Sequence, residues 1–228
     1  MGQKNKLQKF ADNLTFDNLF QYSYDEIIKG IPLKGKWTKT FFENDNDLIV
    51  ELGCGKGEYT VGLAELYPDR NFIGLDIKGA RLWRGLKTTV EKSLTNVAFI
   101  RGRINLVNHF FTKDEISEIW ITFPDPHARE TQAKKRLTSP EFLKKYSGFL
   151  KKDGIINLKT DNIIVFESTL DTIKEYGHKI IYQSYDIYKE GIDNELTNIQ
   201  TFYEKKWLEY GTKIKYLKFS LNPDIFKD

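Results

Sequence analysis

Five residues with alternating glycines, Gly-Cys-Gly-Lys-Gly at positions 53–57, directly follow the apolar run DLIVEL. Glycines at alternate positions let the backbone turn sharply and let a ligand approach the main chain. The spacing differs from the G-x-G-x-x-G of dinucleotide sites and from the longer phosphate-binding loop G-x-x-x-x-G-K-S/T. The loop therefore predicts a nucleotide-type site of another kind, the alternative being a tight turn without a ligand.

Two carboxylates accompany this loop. Glu51 ends the strand that precedes it, and Asp76 ends the next apolar run, where a carboxylate can accept hydrogen bonds from both ribose hydroxyls. Paired acids repel a diphosphate but favour a cofactor that carries a sulfonium cation and an ammonium group. These residues therefore point to S-adenosylmethionine. The only cysteine, Cys54, is expected to be a small loop residue, since no base stands beside it.

A third carboxylate stands between two prolines, where the run EIWITF ends in Pro124-Asp125-Pro126. Prolines restrict the backbone on both sides of Asp125 and so place its side chain on a stiff segment. Ligands of open α/β sheets bind at the carboxyl ends of the strands, so the position suits an active-site acid as well as a simple turn. A cationic stretch that suits a phosphate backbone follows: Arg129, Lys134, Lys135 and Arg136.

Two later segments could cap helices or contact a substrate. Residues 201–204, Thr-Phe-Tyr-Glu, have the T-x-x-E spacing of a helix capping box, and Asp161 in the run LKTDN stands where the next helix needs an N-cap. The sequence offers no metal site. The three histidines, His109, His127 and His178, show no metal-ligand spacing. With one cysteine in the chain, no Cys-based zinc site is possible, and no metal is expected.

The elements that must position these residues alternate between β-like runs and helical patterns from residue 48 onward. The strand candidates are DLIVEL, NFIGLDI, NVAFIRG, EIWITF, GIINLKT, HKIIYQSYDIY and TKIKYLKFSL. The helix candidates are residues 58–66, 79–93, a short 106–111, 139–150, 163–176 and the stretch TNIQTFYEKKWLEYG. The pattern predicts an α/β fold with a doubly wound, mostly parallel, seven-stranded sheet and an antiparallel C-terminal edge. Residues 1–47 are expected to be an N-terminal extension that packs on a domain of residues 48–228.

Composition and charge limit the classes of protein to which the chain can belong. The 228 residues are 40% hydrophobic and 14% aromatic, enough for a core and too apolar for a disordered chain. The net charge is +3, but residues 77–136 hold twelve basic and six acidic residues, a +6 segment that suits a polyanion or forms solvated helix faces. A single cysteine and no apolar run near the roughly 18 residues of a membrane span predict a cytoplasmic protein without a membrane partner.

A family resemblance rests on several motifs together. The runs ELGCGKGEY, FIGLD, ITFPDP with a basic run ending KKRLT, LKTDN and TFYEKK resemble the bacterial tRNA (guanine-N7-)-methyltransferases, in order and at compatible spacing over residues 48–219. The glycine loop alone indicates only a Rossmann-like class I methyltransferase, whereas the later motifs are particular to this family. The resemblance implies that tRNA is the partner and that Glu51 and Asp76 hold S-adenosylmethionine, with Gly53 and Gly55 lining the site.

The same resemblance implies the other site residues. Asp125 is placed at the active centre, as catalytic residue and beside the cofactor. The implied substrate-binding residues are Arg129, Asp161, Thr201, Phe202, Tyr203 and Glu204. The sequence departs from the family pattern in three ways: His127 replaces an aromatic, Arg129 stands where Lys is common, and RGRIN puts Arg103 and Asn105 where an Asp usually lies near the adenine. We assign Arg103 and Asn105 to the cofactor site.

The expected chemistry needs no strong base, because guanine N7 carries an in-plane lone pair at neutral pH. Catalysis then consists of aligning N7, the methyl carbon and sulfur, with Asp125 accepting hydrogen bonds from the guanine N1–H and amino group. The expected product is 7-methylguanosine, in the variable region of tRNA, made by a monomer or homodimer. The alternatives are a methyltransferase for another RNA or a small molecule, and a non-catalytic RNA-binding module.

Overall fold

The structure is a computed structural model that describes residues 5–226. The first four residues of the predicted N-terminal extension lie outside that range. The chain separates into two compact units, the first ending at Phe110 and the second beginning at Phe111. Both units combine β-strands with helices, so the predicted α/β class is confirmed.

Four parallel strands form the sheet of the N-terminal unit, in the order β1-β4-β3-β2. Their bounds are Leu19–Gln21 for β1, Leu48–Leu52 for β2, Asn71–Asp76 for β3 and Val97–Arg101 for β4. Every residue of β2 and β3 is buried, as is typical of parallel strands covered on both faces. β1 is additional to the seven strands predicted, because three residues are too few to show an alternating pattern.

Two helices follow the central strands of this unit. The helix α3 spans Glu58–Leu66 and α4 spans Gly79–Glu91, which confirms the two predicted helices within two residues at their ends. α4 buries Leu82 and Leu86, which lie four residues apart on one face. The predicted short helix at 106–111 is a 3-10 helix at Ile104–His109.

The segment before β2 also contains regular elements. Their bounds are Lys6–Asn13 for α1, Tyr24–Lys29 for α2 and Trp37–Phe41 for a short π-helix. α1 lies against α4, because the Asn13 amide donates to the Gly79 carbonyl at 2.9 Å and the Trp83 indole donates to Asp12 at 2.7 Å. The Trp37 side chain is fully buried. Side-chain hydrogen bonds and buried rings therefore attach this segment to the rest of the N-terminal unit.

The C-terminal unit contains the other four strands, in the order β5-β6-β8-β7. Their bounds are Ile116–Thr122 for β5, Leu150–Thr160 for β6, Lys179–Ser184 for β7 and Lys215–Ser220 for β8. β5 and β6 are parallel, whereas β8 runs antiparallel to both β6 and β7. The predicted antiparallel C-terminal edge is therefore confirmed.

The helices of this unit differ from prediction in three places. A 3-10 helix in the basic run was not among the predicted helices, and the helix predicted at 139–150 ends at Ser147 because Leu150 already begins a strand. The third difference lies in the C-terminal helix. The bounds are Glu130–Lys135 for a 3-10 helix, Pro140–Ser147 for α5, Ile163–Glu175 for α6, Glu195–Asn198 for α7 and Phe202–Glu209 for α8. The stretch TNIQTFYEKKWLEYG was expected to form one helix, but Ile199 is extended and Thr201 begins a new helix. Across residues 5–226, no helix is long and apolar enough to cross a membrane.

Candidate functional site

The glycine loop joins β2 to α3 through left-handed backbone conformations. Gly53, Gly55 and Gly57 have φ angles of 80°, 58° and 69°. A Cβ at position 57 would lie 2.6 Å from the Phe99 ring, so both the backbone and the space require glycine there. The loop is pinned to the neighbouring strand, because Gly53 and Cys54 both donate backbone hydrogen bonds to the Leu75 carbonyl.

Two buried carboxylates hold this loop from inside. One Oε atom of Glu51 accepts hydrogen bonds from the backbone N–H of Thr60, at 2.8 Å, and from the Thr60 hydroxyl. The carboxylate of Asp76 accepts from Gly55 N at 3.0 Å and from Lys78 N at 2.7 Å. The structure thus brings the predicted residues Glu51, Gly53, Gly55 and Asp76 together around one loop.

The electrostatic field of these carboxylates is evident at the neighbouring thiol. The pKa of Cys54 is raised well above its usual value, by burial first and then by the charges of Glu51 and Asp76. The same field favours a cation and disfavours a phosphate. The loop therefore has the negative charge that a sulfonium cofactor needs, and Cys54 is a protonated residue that packs inside it.

The 3-10 helix at Ile104–His109 covers one side of the loop. A Cβ at Gly53 would lie 3.7 Å from the Ile104 side chain, so this apolar residue lies against the loop between the predicted Arg103 and Asn105. The latter two side chains are exposed. Sequence reasoning missed Ile104 and Thr60, although an isoleucine within the polar run RGRIN was the available signal.

The turn around Asp125 has an unusual backbone. Phe123 and His127, on either side of Pro124-Asp125-Pro126, have φ angles of 49° and 41°. Non-glycine residues in this region cost roughly 1–3 kcal/mol each and persist only where the surroundings hold them. Phe123 N donates to the Lys159 carbonyl at 2.8 Å, and the His127 carbonyl accepts from Arg136 at 3.3 Å. The exposed carboxylate of Asp125 is thus carried by a turn that is fastened at both ends.

The basic run divides into exposed and buried cations. Arg129, Lys134 and Lys135 are exposed at the ends of the 3-10 helix, as expected for a surface that contacts phosphates. Arg136 is only 6% exposed, and its guanidinium lies 3.7 Å from Glu130 in addition to its bond to the His127 carbonyl. Arg136 therefore supports the Asp125 turn instead of joining the phosphate-binding surface that the sequence predicted.

A buried ion pair connects two of the predicted substrate segments. Lys159, in the run LKTDN, and Glu204, at the start of α8, are both fully buried and lie 2.7 Å apart. Lys159 also donates to the carbonyls of Leu196 and Ile199, and the Tyr188 hydroxyl donates to Glu204 at 2.8 Å. Burial lowers the pKa of Lys159 and raises that of Glu204, so each ion depends on the other to remain charged. Lys159 and Tyr188 were missed because their partners are distant in sequence.

Four more predicted residues lie close to this pair in the sequence: Asp161, Thr201, Phe202 and Tyr203. Thr201 caps α8 by accepting a hydrogen bond from Glu204 N at 3.2 Å, which confirms the capping interpretation. Phe202 and Tyr203 are 54% and 47% exposed. The N-cap interpretation of Asp161 was wrong, because the neighbouring Asn162 caps α6 by accepting from Ile164 N and Val165 N at 2.9 and 3.2 Å. Asp161 itself is half-buried, and burial raises the pKa of its carboxyl. The segment therefore presents two exposed aromatic rings on a helix start that is anchored by a buried carboxylate.

The loop geometry leads to a stability prediction at Gly57. Gly57→Ala should lower the free energy of unfolding by about 1–3 kcal/mol more than Gly191→Ala, because overpacking against Phe99 adds to the strain of a left-handed residue. Gly191 is a matched control, with a φ of 66° against 69° for Gly57 and nothing within 4 Å of a Cβ. Urea unfolding of both variants measures the difference. Equal losses would mean that the Phe99 ring moves aside without cost.

Comparisons with known proteins identify the family of the chain. Residues 45–217 match a family model described as "Putative methyltransferase". The chain is 52% identical over 223 residues to the tRNA (guanine-N(7)-)-methyltransferase of Christiangramia forsetii, covering 97% of this chain and 100% of that one. It is 46% identical to the tRNA (guanine-N(7)-)-methyltransferase of Bacteroides fragilis, covering 96% of this chain and 86% of that one.

Among solved structures, the likeness concerns the fold. The 16S rRNA methyltransferase KamB aligns with a TM-score of 0.62 at 13% identity, over 81% of this chain and 92% of that one. An antibiotic-related methyltransferase aligns with a TM-score of 0.59 at 18% identity, over 87% and 94% of the two chains. The predicted methyltransferase fold is thereby confirmed. On its sequence identity over nearly the whole chain, the protein belongs to the tRNA (guanine-N(7)-)-methyltransferase family.

Proposed function

We propose that this protein transfers a methyl group from S-adenosylmethionine to N7 of a guanosine in tRNA. The observation that carries the proposal is the glycine loop held by two buried carboxylates, in a chain that belongs to the tRNA (guanine-N(7)-)-methyltransferase family. An acid-lined loop suits a cationic methyl donor, whereas an RNA-binding module without catalysis has no use for it. The reaction takes place in the cytoplasm with tRNA as partner, and requires no metal.

The cofactor is held by residues of the N-terminal unit. Asp76 binds the ribose hydroxyls, Glu51 keeps the field of the loop negative, and Gly53 and Gly55 allow the ligand to approach the main chain. Arg103 and Asn105, which are exposed at the start of the 3-10 helix beside the loop, offer polar groups to the adenine of the cofactor. Bound S-adenosylmethionine supplies an electrophilic methyl group on a sulfonium centre.

The substrate residues lie in the C-terminal unit. Asp125 accepts hydrogen bonds from the guanine N1–H and exocyclic amino group, which orients N7 and stabilises the positive charge that the base acquires. Phe202 and Tyr203 provide exposed rings on which an unstacked base can lie. Thr201 and the buried Glu204 hold the helix start that carries these rings, and Asp161 offers a carboxylate to the substrate. Arg129 binds a phosphate of the tRNA backbone. Since N7 has its own lone pair, these groups position the base and none of them removes a proton from N7.

The proposal is tested by incubating the protein with methyl-labelled S-adenosylmethionine and unmodified bulk tRNA, followed by digestion to nucleosides. We expect label in 7-methylguanosine, and about a hundredfold less of it or lower still when Asp125→Ala replaces the wild-type protein. Label in another nucleoside would preserve the enzyme class and refute N7 as the target. Label in a small molecule of an RNA-free extract would favour the small-molecule alternative.

A further inference from the structure

A cluster of positive charge lies on the surface of the N-terminal unit. We call it the α1–α4 surface and define it by six cations. They are Lys6 and Lys9 on α1, Arg81, Arg84 and Lys87 on α4, and Arg101 at the end of β4. The α4 cations recur every three residues, so that each adjoins the next on the helix surface.

The packing of α1 on α4 creates this cluster. Two hydrogen bonds, from Asn13 to the Gly79 carbonyl and from Trp83 to Asp12, fix the two helices side by side. Gly79 is needed for the contact, because a Cβ there would lie 2.8 Å from the Phe10 ring. Cations that are about 75 residues apart in the sequence are thereby held on one surface.

Two aromatic rings order these cations. The ammonium groups of Lys9 and Lys87 lie 5.1 and 5.4 Å from the centre of the Trp83 ring. The Arg101 guanidinium lies 5.0 Å from the centre of the Phe10 ring. Cation–π contacts at these distances restrict flexible side chains and so reduce the entropy lost when they bind a ligand.

Little negative charge opposes the cluster. α1 and α4 carry one carboxylate each, Asp12 and Glu91. Asp12 accepts the hydrogen bond from Trp83, and Glu91 lies 3.4 Å from Lys87. With Asp76, the register partner of Arg101, six cations face three carboxylates, which leaves a local charge of about +3. A net positive charge of this size attracts a polyanion within about a Debye length of the surface.

The α1–α4 surface begins beside the cofactor loop. Arg101 is the register partner of Asp76 on the adjacent strand, and α4 starts three residues after Asp76. We propose that this surface binds the sugar-phosphate backbone of tRNA, an inference that rests on the proposed function. An RNA bound there lies next to Asp76, the residue that binds the cofactor ribose. This closeness would serve methyl transfer to an RNA, whereas a membrane bound at the same surface would gain nothing from it.

The test is the salt dependence of tRNA binding by a variant with four neutralised cations, K6Q/K9Q/R81Q/R84Q. Each phosphate that the protein no longer neutralises takes about 0.7–0.9 from the slope of log K against log salt, so we expect a slope flatter by about 3 and at least a tenfold weaker affinity at low salt. The control K152Q/K174Q/K179Q/K189Q neutralises four exposed lysines of the C-terminal unit and should keep the wild-type slope. Calorimetric affinity for S-adenosylmethionine reports whether the N-terminal unit remains folded.

The outcomes separate this inference from the proposed function. A wild-type protein that makes 7-methylguanosine, together with a variant that keeps the wild-type tRNA slope, overturns the inference alone. A wild-type protein that methylates no tRNA overturns the proposed function, whatever the variant binds. Charge-dependent binding to phosphatidylglycerol vesicles with unchanged tRNA binding would assign the surface to a membrane instead. If the quadruple variant misfolds, the double variant R81Q/R84Q replaces it, since it changes two exposed side chains only. This double variant should flatten the salt slope of tRNA binding by about half as much.

Discussion

Asp125→Ala and Asp125→Asn should each lower kcat for tRNA methylation by about a hundredfold to a thousandfold, the usual loss when one preorganised charge-stabilising group is removed. Alanine removes both acceptor oxygens. Asparagine keeps the shape but replaces one acceptor oxygen by an amide NH2 group, a donor that faces the donors of guanine, so it should not rescue activity. Single-turnover methylation at saturating tRNA measures the effect.

The control for this experiment separates catalysis from folding. Asp153→Asn changes another exposed carboxylate of the C-terminal unit and should retain activity. Calorimetric affinity for S-adenosylmethionine should remain nearly intact in both Asp125 variants, because the loop that holds the cofactor is unchanged. Near-normal turnover in Asp125→Ala would refute the assigned role of this residue.

Lys159→Met should destabilise the protein by about 3–5 kcal/mol, because it leaves the fully buried carboxylate of Glu204 without its cation. The double variant Lys159→Met/Glu204→Met should recover most of this loss, since two apolar side chains of similar length leave no buried charge. Urea unfolding of the two single variants and the double variant closes a thermodynamic cycle. Additive losses would mean that the two residues are not coupled.

The same cycle has a functional readout. The Lys159–Glu204 pair and the Tyr188 hydroxyl anchor the start of α8, where the exposed Phe202 and Tyr203 lie. The double variant regains stability without regaining the hydrogen bonds that orient this segment. We therefore expect its KM for tRNA to stay raised even though it is folded, whereas a purely structural pair would return KM to the wild-type value.

The sequence was sufficient where a local pattern determines structure. The strands β2 and β3, the glycine loop and the carboxylates at positions 51 and 76 could be predicted because each strand is a continuous apolar run and each turn has its own residue types. The antiparallel edge at β7 and β8 was likewise predictable from the order of the elements.

It was insufficient where the partner of a side chain is remote. Nothing near Arg136 in the sequence shows that its guanidinium turns inward to the His127 carbonyl, so a run of four cations was expected to face one ligand. The pairing of Lys159 with Glu204 spans 45 residues. β1 is three residues long and forms by pairing with the edge of β4. Such a pairing depends on a distant strand, so the β propensity of the three residues cannot predict it.

The burial of the single thiol has a practical consequence. Cys54 is enclosed in the cofactor loop and its pKa is raised by burial and by two carboxylates, so it stays protonated and out of reach of alkylating reagents while the protein is folded. A cysteine introduced at an exposed position of α1 or α4 can therefore be labelled alone with a fluorophore or spin probe. No native thiol then competes for the label, so the distance from that probe to a labelled RNA can be measured directly.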